Sequence, residues 1–222
     1  MSNLTTVTTR GLLFDMDGVL VSSIDSVERC WSQWADMYGV DREYALSITH
    51  GRRAIDTVRT LRPDIDPQKG LKDIEDIEVL DVGDTKLLPG AVELLNKIPK
   101  DRWTIVTSAS TRLASARLDA ANVPRPAKMI TADDVTVGKP DPEPYRRGAE
   151  ILGFDVRDCI VVEDAPSGAK AGRAAGSRVL GVVASYTVED LLDTTDWRVK
   201  SLKDVDVSVE GDTLRISFPA SF

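Results

Sequence analysis

Four short apolar runs in this chain break off in the same manner, and that regularity restricts the fold more than anything else in the sequence. Leu12-Leu13-Phe14 stops at Asp15-Met16-Asp17-Gly18, and Trp103-Thr104-Ile105-Val106 stops at Thr107-Ser108. Ile160-Val161-Val162 stops at Glu163-Asp164, and the run from Val179 to Val183 stops at Ala184-Ser185. Helical patterns fill the intervals, over 111–123 after the second run and 167–177 after the third. Strands that alternate with helices form a parallel sheet covered on both faces. The expectation is therefore an α/β protein with a Rossmann-like three-layer core. Such sheets place their ligands beyond the carboxyl ends of the strands, where all four polar termini would gather.

The stretch after the first strand reads differently. Residues 23–40 are helical, with Val27, Cys30, Trp31, Trp34 and Met37 recurring on one face. Helical texture continues over 44–65 and again over 71–90, up to Pro89-Gly90, and no strand pattern interrupts it. Aromatic residues at helical spacing signal packing, so Trp31 and Trp34 are expected in a local core. The predicted organisation is an α/β core domain made of 1–21 and 89–222, with an all-helical cap domain, 22–88, inserted after the first strand. Near the far end, residues 204–218 alternate with period two around Glu210-Gly211-Asp212, which predicts a hairpin added at an edge.

Charge and composition narrow the partners. The formal net charge is −8, which disfavours nucleic acid and anionic membranes. No apolar window reaches the length of a membrane span, and residues 1–10 carry no secretion-signal core. The two cysteines, Cys30 and Cys159, have no metal-binding spacing and are expected as buried thiols. A cytoplasmic location is the expectation.

Asp15 and Asp17 pose the chemical question. In an extended chain, side chains two residues apart share a side, and their mutual repulsion is roughly 4 kcal/mol at ~4 Å in a medium of dielectric ~20. A DxD pair, a Thr-Ser or a Glu-Asp pair is weak evidence taken alone. Their order along the chain is specific: Asp15-Met16-Asp17-Gly18, then Ser108, then Lys139 in Gly138-Lys139-Pro140-Asp141-Pro142, then Glu163-Asp164. In this order the chain resembles the haloacid dehalogenase superfamily of phosphohydrolases over essentially its full length.

The resemblance implies roles. Asp15 would attack phosphorus, giving an aspartyl-phosphate that splits one hard hydrolysis into two easier steps. Asp17 would protonate the leaving oxygen and then activate water. Ser108 and the Ala109 N–H would hold a phosphoryl oxygen, with Thr107 the competing side chain, since a strand end read one residue off changes which side chain points inward. Lys139 would pair with Asp15 and neutralise charge on the transferring group.

If the strand ends converge, Asp15, Asp17, Glu163 and Asp164 face a single cation, Lys139. Such a site would repel a phosphate dianion without a divalent metal, and hard oxygen donors suit Mg²⁺. By the resemblance the metal is held by Asp15, the backbone carbonyl of Asp17, Asp164 and, directly or through water, Glu163.

His50, the single histidine, stands with Gly51, Arg52 and Arg53 in a break within the helical insert. With Thr107-Ser108-Ala109-Ser110, residues 130–145 and residues 163–172, it narrows the likeness to 2-deoxyglucose-6-phosphate and glycerol-phosphate phosphatases. That likeness implies that His50, Arg52 and Arg53 contact the leaving group of a small sugar or polyol phosphate. The alternatives are a β-phosphoglucomutase, weakened because no histidine follows the DxD motif in 21–30, and a catalytically silent binder of phosphorylated metabolites.

Overall fold

The structure, a computed structural model, describes residues 4–220. Residues 1–3 and 221–222, the outermost parts of the expected core segments, lie outside the described residues.

The central sheet has five parallel strands. They are β2 (Gly11–Phe14), β5 (Trp103–Ile105), β6 (Cys159–Glu163), β7 (Arg178–Val182) and β8 (Trp197–Val199), in the order β5-β2-β6-β7-β8. β2 is buried along its whole length, as a strand covered on both faces must be. Its alternation sorts the core: Leu12 and Phe14 face one side with Ile105, Ile160, Val162 and Leu180, while Leu13 faces the other with Val161, Val179 and Tyr145. Helices α5 (Ala91–Lys97) and α6 (Thr111–Ala120) cover the first side, and α7 (Glu143–Leu152) and α8 (Pro166–Ala175) the second. A short α9 (Val188–Leu191) precedes β8. Two backbone bonds carry the pairing past the strand ends, Asp15 N–H to the Val162 carbonyl at 2.9 Å and Val106 N–H to the Phe14 carbonyl at 2.8 Å. They fix the register in which the polar termini meet.

The C-terminal hairpin forms, but not as an addition to this sheet. Strands β9 (Asp206–Glu210) and β10 (Thr213–Pro219) join β1 (Leu4–Thr9) in a separate antiparallel sheet of order β1-β10-β9. Leu214, Ile216 and Phe218 alternate inward from β10 and pack with the α5–α6 side of the core. β1 is threonine-rich and half exposed, so it carries no strong apolar alternation to announce it.

Four helices follow β2: α1 (Ile24–Tyr38), α2 (Arg42–Thr49), α3 (Ala54–Leu61) and α4 (Pro67–Leu80). α1 ends at Gly39 in the left-handed region (φ 65°), Asp41 caps α2, and Asp66 with Pro67 opens α4. These helices share a core of their own around Trp31, Trp34, Val58 and Ile74. Trp34 donates to the Gly70 carbonyl at 3.0 Å, and its ring stacks on Tyr38. Any side chain at residue 70 would meet Val58 Cγ1 at 2.6 Å, so glycine lets the helices approach. Met37, expected on the buried face, is 55% exposed, because α1 turns Ala35 and Trp34 inward instead. The strand-free reading of 22–88 also needs correction. Val21–Ser22 (β3) pairs with Lys86–Leu87 (β4), which ties the chain where it leaves the sheet to the point where it returns. Among the described residues no helix is long and apolar enough to cross a membrane.

Candidate active site

The carboxyl ends of β2, β5 and β6 and the loops after β7 open into a cavity of about 350 Å³, roofed by the helices α1–α4. Asp15, Asp17, Thr107, Ser108, Ala109 and Asp164 line its floor; His50, Arg52 and Arg53 line its roof.

Lys139 is the hub of the floor. Its ammonium donates to Asp15 Oδ1 at 2.7 Å, Glu163 Oε1 at 2.7 Å and the Val106 carbonyl at 3.0 Å, with its side chain 2% exposed. Burial disfavours its charge, but Asp15 and Glu163 outweigh burial and hold its pKa above the ordinary lysine range. Burial, followed by the charge of Glu163, raises Asp15 to about 7 against the opposing pull of Lys139. Asp164 is likewise raised well above the carboxylate range, first by burial and then by Glu163 and Asp15.

The oxygens of Asp15, Glu163 and Asp164 lie within 4.8 Å of one another, close enough to share one ion. The donor chemistry divides the three. Glu163 Oε1 accepts from Lys139 and from the Tyr145 hydroxyl at 2.7 Å, and Oε2 accepts from the Asp164 and Ala165 N–H groups at 3.0 Å each. Four donors already occupy its acceptor sites, so Glu163 holds Lys139 and the loop after β6 while one of its oxygens stays within 4.8 Å of Asp15 and Asp164. Asp15 and Asp164 fit a hard cation, being buried oxygen donors with raised proton affinity.

Glycines set these distances. A Cβ at Gly18, whose φ is +81°, would fall 1.8 Å from Asp164 Oδ2. A Cβ at Gly168, at the start of α8, would fall 1.6 Å from Glu163 Oε1. Gly168→Ala is expected to push Glu163 off Lys139 and lower kcat about 10²-fold, since displacements near 1 Å cost that much in a positioned site. Steady-state kinetics check it, and a loss below twofold would contradict the role given to Glu163.

Other expected contacts are arranged differently. The Ala109 N–H is directed at Thr107 Oγ1 (3.1 Å), because the loop turns back on itself there. Ser108 Oγ donates to the Gly51 carbonyl at 3.3 Å, as does Ser167 Oγ at the same distance, so two hydroxyls of the floor hold the roof loop. Arg53 is tied down. It makes a two-armed pair with Asp56 and donates to the Val135 carbonyl at 3.0 Å, lying against Gly138. From its place in the cavity wall it braces the segment ahead of Lys139, with its guanidinium already engaged. Arg52 lines the cavity with no carboxylate partner among the described residues. Burial lowers the pKa of His50, with Glu28 and Asp17 opposing.

Asp17 has partners that the motif did not announce. Its Oδ1 accepts from Ser23 at 2.6 Å and its Oδ2 from Arg117 Nη1 at 3.1 Å, and Arg117 Nη2 donates to Glu78 Oε1 at 3.0 Å. Arg117 therefore adds a buried cation to the site beside Lys139. A signal was present: Leu113, Ala114, Arg117 and Leu118 form the buried stripe of α6, and Ile74 and Glu78 that of α4. A charge on an apolar stripe needs a buried partner.

The chain is 38% identical over 212 residues to hexitol phosphatase A of Escherichia coli strain K12, covering 92% of this chain and 98% of that one. It is 36% identical over 218 residues to 2-deoxyglucose-6-phosphate phosphatase 1 of Saccharomyces cerevisiae, covering 88% and 89%. The fold matches CbbY from Rhodobacter sphaeroides, solved in complex with phosphate, with a TM-score of 0.75 at 21% identity over 87% of this chain and 95% of that one. Residues 9–176 match the sequence profile of the haloacid dehalogenase-like hydrolases, and the chain belongs to that family.

Proposed function

We infer that this protein is a Mg²⁺-dependent phosphatase of small sugar or polyol monophosphates that works through an aspartyl-phosphate. The observation that carries the reading is the Lys139 ammonium, buried and bonded to Asp15, beside a pair of buried carboxylates at the floor of a cavity roofed by helices. The names of the two curated relatives support the substrate class.

Asp15 attacks phosphorus, and Lys139 at 2.7 Å both orients its carboxylate and offers positive charge to the oxygens that gain it. Asp17 gives a proton to the leaving alcohol oxygen and then takes one from the water that cleaves the acyl-phosphate. Ser108 holds a phosphoryl oxygen, exchanging its bond to Gly51 for one to substrate. Asp15, Asp164 and the backbone carbonyl of Asp17 would hold Mg²⁺, which supplies charge neutralisation between carboxylates and phosphate. Glu163 and Tyr145 position Lys139. The four helices over the site, taken as a cap spanning 22–88, exclude bulk water and limit the leaving group to a small molecule.

Phosphate release from hexitol, hexose and glycerol phosphates, measured against nucleotides with and without Mg²⁺, tests the reading. Hexitol and hexose phosphates are expected to lead; a preference for nucleotides, or no release, would refute it.

The raised proton affinity of Asp15 gives a second test. Below pH 7 a proton occupies the carboxylate that a cation needs, so binding must displace it. Mg²⁺ affinity read by calorimetry is therefore expected to weaken at least about tenfold per unit as pH falls below 7. An affinity flat between pH 7.5 and 5.5 would contradict the ligand set.

A further inference from the structure

Asp17 is held at both oxygens, and neither anchor belongs to the motif that contains it. Ser23 lies in the link between β3 and α1, and Arg117 projects from α6 on the opposite wall. Arg117 is 4% exposed at its side chain, as is Glu78, which takes the other arm of the guanidinium from helix α4. Arg117 Nε is buried without a partner, so the two Nη contacts alone orient this planar group. Asp17, Ser23, Glu78 and Arg117 all line the cavity. A chain of three groups thus runs from the floor carboxylate through the guanidinium to the roof helix.

We propose that Arg117 is a positioning residue for Asp17, anchored by Glu78 of the helical roof, and that this relay adapts the site to alkyl phosphates, whose poor leaving groups need a proton. The proposal rests on the phosphatase reading given above. In the first step the Asp15 oxygen bonds to phosphorus and the bond to the ester oxygen breaks. The proton moves from the Asp17 carboxyl to that oxygen, which leaves as an alcohol. One anchor on each carboxyl oxygen fixes the direction in which Asp17 presents that proton to the leaving oxygen. Glu78 of the roof helix fixes the guanidinium, so the direction of the acid depends on the roof as well as the floor. An aryl phosphate such as p-nitrophenyl phosphate releases a stable anion and makes little use of that proton.

The experiment compares kcat/KM, which reports only steps through release of the alcohol, for glycerol phosphate and p-nitrophenyl phosphate. In Arg117→Gln the glycerol phosphate value is expected to fall at least about tenfold further than the aryl value. Glu78→Gln should move the ratio in the same direction by less, and Arg117→Lys should recover part of the loss. Because Arg117→Gln leaves Glu78 buried and unpaired, the double variant Glu78→Met with Arg117→Met, checked for native structure by near-ultraviolet circular dichroism, is expected to show the same selective loss. Equal losses on both substrates, or none, would overturn the proposal while leaving the phosphatase reading intact. A wild-type protein that releases phosphate from neither substrate would overturn both.

Discussion

Asp15→Asn is expected to reduce turnover at least ~10³-fold while leaving the protein folded and no less stable. The amide keeps the shape of the side chain and can still accept from Lys139, but it cannot form the acyl-phosphate. Stability should behave oppositely to activity. Asp15 is 6% exposed, and burial with the charges of Glu163 and Asp17 raises it to about 7 from an ordinary 3.8. A carboxyl whose folded pKa is raised favours the native state while protonated, and that contribution is lost as pH rises from about 4 to 7. In EDTA, the substitution should therefore stabilise the protein more at pH 8 than at pH 4. Activity within tenfold of wild type would remove Asp15 from the chemistry, and a lower Tm at pH 8 would contradict the charge balance described for the floor.

Lys139→Met carries the second large effect, and here activity and stability fall together. The ammonium has three acceptors within 3.0 Å, two of them carboxylates, and its replacement leaves Asp15 and Glu163 buried without a cation. Removing one partner of a buried ion pair costs about 3–5 kcal/mol. For a chain of this size that is a drop in Tm of roughly 6–20 °C. Loss of the charge opposite the transferring group should lower kcat by about 10²–10³. Arginine should not substitute, because the planar fork does not match three acceptors gathered around one point in a pocket closed to solvent. Thermal unfolding and steady-state kinetics check both parts, and a Tm within 2 °C of wild type would show that Lys139 is not the counter-charge.

The parts of the site legible in the sequence are those carried by backbone direction. Asp15, Ser108 and Asp164 follow apolar runs, and parallel pairing brings the ends of such runs together whatever the loops do. Lys139 was legible through its place in an ordered set of signatures, although no strand carries it. Side chains whose roles depend on a partner far along the chain were harder to read. Arg53 sits beside His50 in sequence and looks available to a substrate, yet Asp56 and the Val135 carbonyl hold it. Arg117 and Glu78 are 39 residues apart, and only the packing of α4 on α6 brings them together. The resemblance offered Glu163 as a ligand, directly or through water, and said nothing of its other partners. The N–H groups and the hydroxyl that occupy it come from local loop geometry and from Tyr145 on α7. The fold shows the same division. Four of the five central strands were predictable from their apolar runs, whereas β8, buried only at Val199, was not, and β1 was missed because its partner lies at the other end of the chain.

The most direct test of the central claim is to trap the covalent intermediate. The wild-type enzyme, mixed with an alkyl phosphate labelled at phosphorus and quenched in acid within milliseconds, should carry the label on a peptide spanning residues 11–18, at Asp15, and Asp15→Asn should carry none. Label found at another residue, or a burst of alcohol with no labelled protein, would contradict an attack by Asp15.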